Sequence, residues 1–271
     1  MRGLLSILPL ALLLFGVGIA ASAAADQLVT FSTASPPAAV STAPIAQTRI
    51  EGYLTMPKGK GPFPAVVALH SCLGLPSNRK ATTAALAEWG YASLFVDDFS
   101  TRGLKDTCAV DFPEGFSDAF GALAYLATLP AIDRTRIAAL GFSQGAYTAL
   151  QVATARLNPP VPLGEPMPLR FKLVAAYYPA CVSPLGTQLA LPTLILVGAA
   201  DTVTPAADCE RFAKTQSGAD LKLVVYPGAG HVFDDPQFAG GKQLLGMHME
   251  YNAAAAAAAE VALRDFLAAR L

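Results

Sequence analysis

The five residues Gly141-Phe142-Ser143-Gln144-Gly145 constrain this chain more than any others. They follow the apolar run Arg136-Ile137-Ala138-Ala139-Leu140, which reads as a strand. They precede Ala146-Tyr147-Thr148-Ala149-Leu150-Gln151-Val152, which reads as a helix. A strand, a G-x-S-x-G turn and a helix together make a sharp elbow whose flanking positions must be small. Such a turn lifts the serine hydroxyl above the sheet edge, where a base can reach it. The alternative is an ordinary strand-to-helix turn with a capping serine.

A serine is a weak nucleophile at neutral pH and needs a base, which in turn needs an orienting acid. The chain has 3 histidines, so the search is short. His231 ends a strand-and-turn stretch, Leu221 to Gly230, on a loop from which an imidazole could reach a serine. His70 follows the strand-like Pro64 to Leu69 and suits an oxyanion loop better than a base, with a part in substrate binding. His248, in Met247-His248-Met249-Glu250, reads as a surface or packing residue near the start of the last helix. For the acid, Asp201 follows the buried strand Leu194-Ile195-Leu196-Val197-Gly198, at the strand edge where open α/β sheets carry their sites. Asp208 competes with it. Asp97 and Asp98 also follow a strand but precede the serine, and read as site-wall or structural residues.

The order Ser143, Asp201, His231 is the α/β-hydrolase arrangement. In that fold one oxyanion donor is the backbone N–H after the nucleophile, here Gln144. The other comes from the loop after an early strand, here Ser71 to Leu73, with Cys72 the best candidate. Ser143 would attack an acyl carbonyl, His231 would shuttle the proton, and Asp201 would hold the imidazole. An inactive binding protein on the same fold and a peptidase or amidase remain as other readings.

Composition fits a single α/β domain over residues 45–271. The chain is 53% hydrophobic and 14% charged, enough apolar material for a mostly parallel sheet covered by helices on both faces. Strands are expected near 48–55, 64–70, 92–97, 136–141, 172–178, 193–198 and 221–226. Helices are expected near 77–90, 114–129, 143–156, 205–216 and 252–270. With 19 basic and 20 acidic residues there is no basic patch to suggest nucleic acid. No cysteine or histidine spacing suggests a metal, and no cofactor is expected. Oligomeric state is not readable.

The resemblance narrows further. Leu69-His70-Ser71-Cys72-Leu73-Gly74, Glu88-Trp89-Gly90-Tyr91, Val96 to Gly103, the elbow, Tyr177-Tyr178-Pro179, Gly198-Ala199-Ala200-Asp201 and Pro227 to Phe233 occur in the order and spacing of the dienelactone hydrolase family. The chain resembles that family from about residue 48 to 271. The resemblance implies hydrolysis of a small-molecule ester or lactone. Founding members carry a cysteine at the elbow and a glutamate in the loop after an early strand; here Ser143 and Ser71 stand there. Both changes imply ordinary serine esterase chemistry. A substrate-binding arginine of the family maps onto Arg102. The position of a second falls on Asp235, which implies a site unwelcoming to a carboxylate beside the scissile bond.

The N-terminus reads as an export signal. Met1-Arg2, the apolar stretch Leu4 to Ala20 and the small residues Ala21-Ser22-Ala23 have the pattern of a cleaved signal peptide over residues 1–25. Residues 26–44, rich in Ala, Ser, Thr and Pro, read as a flexible leader. The mature protein is then expected to be periplasmic or secreted, with no membrane segment. In that compartment an even cysteine count suggests disulfides. Position along the elements favours Cys72–Cys108 and Cys181–Cys209, each worth about 3–4 kcal/mol in the chain-entropy model. The proline-rich segment 157–169 either walls the substrate pocket or merely connects two elements.

Overall fold

The computed structural model describes residues 26–34, 48–110, 112, 114–154, 169–183 and 185–271. The signal-peptide reading, and all of the proline-rich segment but Leu169, lie outside the described residues.

Eight strands form one sheet. They are β1 (Gln27–Ser32), β2 (Arg49–Thr55), β3 (Phe63–Leu69), β4 (Ala92–Asp97), β5 (Ile132–Phe142), β6 (Val174–Tyr177), β8 (Thr193–Gly198) and β10 (Leu221–Tyr226). Their order is β1-β2-β4-β3-β5-β6-β8-β10. β1 and β2 join antiparallel and the rest run parallel. Two short pairs stand apart: β7 (Gln188–Leu189) with β9 (Ser217–Gly218), and β11 (Lys242–Leu244) with β12 (Met247–Met249). The helices are α1 (Arg79–Glu88), α2 (Glu114–Ala127), α3 (Gln144–Ala153), α4 (Ala206–Thr215) and α5 (Ala253–Arg270).

The parallel strands are apolar on both sides because both sides are covered. Val67 and Leu69 of β3 pack with α2, α3 and α4, through residues such as Phe120, Leu150 and Phe212. Val66 and Ala68, one step out of phase, pack with α1 and α5 through Leu86, Leu263 and Phe266. The alanine run opening α5 is capped by Asn252, whose side chain accepts from the Ala255 N–H at 3.0 Å.

Two elements differ from the sequence expectation. Residues 27–32 lie within the expected flexible leader, yet they form the edge strand β1. Val29 and Phe31 alternate inward and are buried, while Leu28 faces out. The helical reading missed the β11–β12 hairpin, and His248 lies in it rather than at the helix start.

The fit of β1 is tight. A Cβ built on Gly121 of α2 would sit 2.4 Å from the Ser32 carbonyl oxygen and 2.8 Å from the Thr33 Cα. Gly121→Ala is therefore expected to push the N-terminal strand off α2, at a cost of about 1–3 kcal/mol. Thermal unfolding checks this, together with proteolysis at residues 26–34. The variant should melt lower and be clipped faster there, and Gly90→Ala, where a Cβ meets open space, makes an informative comparison of backbone strain without crowding.

Candidate active site

The elbow sits at the C-terminal end of β5. Ser143 is held at φ 52, ψ −112, in the left-handed half of the backbone map that non-glycine residues rarely enter. Its N–H donates to the Tyr177 carbonyl at 3.0 Å, and its carbonyl accepts from the Tyr147 N–H at 2.9 Å. The two glycines are compulsory. A Cβ on Gly141 would lie 2.1 Å from the Gly145 carbonyl oxygen. A Cβ on Gly145 would lie 2.4 Å from the Leu69 carbonyl oxygen and 2.5 Å from that of His70. The backbone of α3 thus presses directly on the end of β3.

From this perch the Ser143 hydroxyl lies 3.0 Å from His231 Nε2. His231 Nδ1 lies 2.8 Å from Asp201 Oδ2. The aspartate is held in turn: its Oδ1 accepts from the N–H groups of Val203 and Thr204 at 2.8 and 2.9 Å, and its Oδ2 from the Thr204 hydroxyl at 3.0 Å. Gly198 permits the approach of the two loops, since a Cβ there would meet the Ala229 carbonyl oxygen at 2.2 Å. The Tyr178 ring meets the His231 ring edge-on, 4.8 Å between centroids. Tyr178 is anchored by its own hydroxyl, which donates to Asp234 at 2.7 Å. Burial pushes the Asp234 carboxyl up to about 6, against the pull of the Tyr178 and Asn78 hydrogen bonds.

Ser143 and His231 open onto a cavity of about 560 Å³. Cys72 and Gln144 line it, as do Tyr147, Val182, Met247 and Met249. Among the described residues that line it, none is Asp, Glu, Lys or Arg. Gln144 holds the first position of α3, where a backbone N–H has no acceptor within the helix. Cys72 is fixed by the loop that follows β4. A disulfide joins it to Cys108, its carbonyl accepts from the Thr107 N–H at 2.9 Å, and the Thr107 hydroxyl donates to Gln144 Oε1 at 2.7 Å. Thr107 therefore ties together the two residues that flank Ser143. The second disulfide, Cys181–Cys209, pins the loop after β6 to α4.

The description "Dienelactone hydrolase family" matches residues 50–271. The chain belongs to the dienelactone hydrolase family. A provisionally named carboxymethylenebutenolidase of Synechocystis sp. is 27% identical over 246 residues, covering 80% of this chain and 90% of that protein. Esterase FrsA of Klebsiella pneumoniae is 35% identical over 142 residues, which is 48% of this chain but 28% of the larger esterase. The crystal structure of a dienelactone hydrolase from Anabaena variabilis superposes with a TM-score of 0.60 at 19% identity, over 91% of this chain and 99% of that one. The fold is that of the α/β-hydrolases, and the family membership makes this chain a carboxylic ester hydrolase.

Three positions that the sequence assigns to substrate, Arg102 and Asp235 through the family resemblance and His70 by its place after a strand, lie away from the cavity. Arg102 makes a two-pronged bond to Asp118 at 2.9 Å on each prong, and donates to the Asp98 carbonyl at 2.7 Å. Its guanidinium is engaged inside the protein by the carboxylate of α2. Asp235 is 1% exposed and accepts from the Ser77 hydroxyl at 2.6 Å and the Gln237 side chain at 2.9 Å. It lines a second cavity, of about 430 Å³, which shares the lining residues Ser71, Leu73 and Val232 with the first. His70 is buried, with Nε2 2.7 Å from Asp98 and Nδ1 2.7 Å from the Ser71 carbonyl, and is not part of the cavity wall. Asp208 pairs with Arg211 on α4, away from His231. Thr204 and Thr107 escaped the sequence reading. The first had a signal, since a threonine three residues past an aspartate often closes a turn on that carboxylate.

The two disulfides give a direct chemical expectation. Iodoacetamide should modify none of the 4 cysteines in denatured, unreduced protein and all 4 after reduction. Intact mass reads the difference.

Proposed function

We propose that this protein is an exported serine esterase that cleaves neutral carboxylic esters or lactones through an acyl-enzyme. The observation that carries the proposal is the unbroken chain Asp201–His231–Ser143, at 2.8 and 3.0 Å, opening onto an uncharged cavity. Ser143 Oγ attacks the carbonyl carbon while His231 Nε2 takes its proton. Asp201 stabilises the imidazolium that forms and fixes its Nδ1 tautomer. The carbonyl oxygen becomes an oxyanion and accepts from the backbone N–H groups of Cys72 and Gln144. Collapse expels the alcohol, which leaves with the proton from His231. A water then repeats the sequence on the acyl-enzyme and releases the acid. The disulfides and the N-terminal export pattern support an oxidising compartment.

The neutral preference rests on what the cavity lacks. A carboxylate entering it gives up hydration and meets no cation among the described lining residues. From the sequence the same preference is expected through repulsion by Asp235, which lines the neighbouring cavity and not this one.

Three outcomes follow for kinetics on nitrophenyl esters. Ser143→Ala should abolish turnover and labelling by a fluorophosphonate while the protein stays folded by circular dichroism. Asp201→Asn should keep the fold and lower kcat by about 10⁴, because the imidazole then sits in the wrong tautomer. A neutral ester should beat its carboxylated analogue in kcat/KM, and Val182→Arg, on the exposed wall of the cavity, should narrow that ratio. Near wild-type turnover by Ser143→Ala, free of contaminating esterase, would overturn the mechanism. A wild type that favours the anionic ester would overturn the substrate class alone.

A further inference from the structure

His70 is buried among charges that the proposed mechanism leaves unused. Its side chain is 3% exposed, and the ring is wedged edge-on against Phe99, 4.4 Å between centroids. Its two nitrogens face two acceptors. Nδ1 lies 2.7 Å from the Ser71 carbonyl oxygen, and Nε2 makes an ion-pair contact of 2.7 Å with Asp98 Oδ1. A carbonyl oxygen can only accept, so Nδ1 carries the hydrogen on that side. The Nε2–Asp98 contact is an ion pair and not an aligned hydrogen bond, and the carboxylate favours a second proton on Nε2.

The acceptor at Nδ1 has a particular place. The Ser71 carbonyl and the Cys72 N–H belong to one peptide group, and Cys72 N–H is the proposed oxyanion donor. We infer that His70 is a positioning residue for the oxyanion hole, holding and polarising the Ser71–Cys72 peptide through Nδ1–H. This rests on the proposed function, through the role of Cys72. The physics is that of a hydrogen-bond chain: a donor on the carbonyl oxygen draws electron density from the same peptide's N–H and strengthens what that N–H donates. The Gly74 N–H also donates to the Ser71 carbonyl, at 3.0 Å, so the peptide plane is fixed from two sides.

The arrangement depends on the proton count. A neutral imidazole has one N–H for two acceptors, and a carboxylate outcompetes a carbonyl for it. Loss of the second proton therefore favours Nε2–H beside the carboxylate, which turns a bare Nδ1 lone pair toward Ser71 and loosens the peptide. The groups around His70 set when this happens. Asp97 and Asp98 face it from the end of β4. From α2, Asp118 lies beyond Asp98, with Arg102 between Asp118 and the Asp98 carbonyl, and Glu114 lies near Arg102. From α3, Gln144, Gly145 and Thr148 pack nearby and bring no charge. Burial opposes the imidazolium, but the Asp98 carboxylate and the Ser71 carbonyl outweigh it and raise the His70 pKa. Asp118 is itself pushed up by burial to about 7, against the pull of Arg102. The sign follows: activity is held below the raised His70 titration and lost as pH climbs through it.

The test uses the whole protein with a neutral nitrophenyl ester and a trifluoromethyl ketone analogue. The ketone adds to Ser143 Oγ, its carbonyl oxygen becomes the oxyanion, and His231 keeps the serine proton. The ketone's affinity therefore reads the oxyanion hole separately from ester turnover. In wild type, kcat and ketone affinity should fall together on an alkaline limb. His70→Gln should lower kcat and ketone affinity by about 10-fold each at neutral pH, leave KM within about 2-fold, and lack that limb. Asp98→Asn should also lack the limb but keep its activity at high pH. An amide can donate to Nε2, which leaves Nδ1–H on Ser71 at every pH. A His70→Gln enzyme with wild-type kcat and ketone affinity would overturn the inference. If His70→Gln fails to fold, Asp98→Asn decides: an unchanged alkaline limb overturns it, and a missing limb with retained rate supports it. Turnover by Ser143→Ala would instead sink the mechanism beneath it.

Discussion

Everything at this site hangs on a backbone contact. At Gly145 the first turn of α3 presses against the carbonyls of Leu69 and His70, and a Cβ on Gly141 would lie 2.1 Å from the Gly145 carbonyl oxygen. A side chain at either position would drive the helix off the sheet. The contact forces Ser143 to a positive φ and aims its hydroxyl at His231. It also brings the loop after β3, with His70, Ser71 and Cys72, beside the N-terminus of α3. The proposed nucleophile and both proposed oxyanion donors are thus placed by one steric fit. The cost of the unfavourable Ser143 backbone is met by the packing of β3, β5 and α3 around it.

Around that contact the protein repeats one device, in which buried polar groups are held by further buried polar groups. Asp201 is gripped by two backbone N–H groups and the Thr204 hydroxyl. Tyr178, which packs on the His231 ring, is anchored by Asp234. Cys72 is clamped by a disulfide and by Thr107. The proposed acyl transfer needs donors that do not reorganise when charge appears, and such supports supply that rigidity.

Much of this was legible in the sequence, for a physical reason. The elbow demands glycines at fixed offsets around the serine. Asp201 and His231, the proposed acid and base, sit just past apolar strands, where chain order and hydrophobic runs locate them. Cysteine positions relative to strand ends pointed to the pairing seen. The losses share a cause as well. Arg102, Asp235 and His70 each stand near the site along the chain, but the direction of a long or buried side chain is set by partners from distant elements. Arg102 turned to Asp118 of α2 and Asp235 to Ser77. His70 turned to Asp98, one strand over. β1 was hidden because a six-residue edge strand with one buried face leaves a weak pattern beside Ala-, Ser- and Pro-rich sequence. The β11–β12 hairpin turns at Leu245 and Gly246, both at positive φ, and a leucine there gives no turn signal.

The central claim is that one steric fit delivers the serine and two backbone donors to a single reacting centre. A crystal structure of the protein inactivated by a fluorophosphonate tests it most directly, because the phosphonyl oxygen stands in for the oxyanion. The account predicts a covalent bond from Ser143 Oγ to phosphorus, with the phosphonyl oxygen about 2.7–3.1 Å from both the Cys72 and the Gln144 backbone nitrogens. An adduct on another residue would contradict it. So would an adduct on Ser143 whose phosphonyl oxygen points away from Cys72 and Gln144.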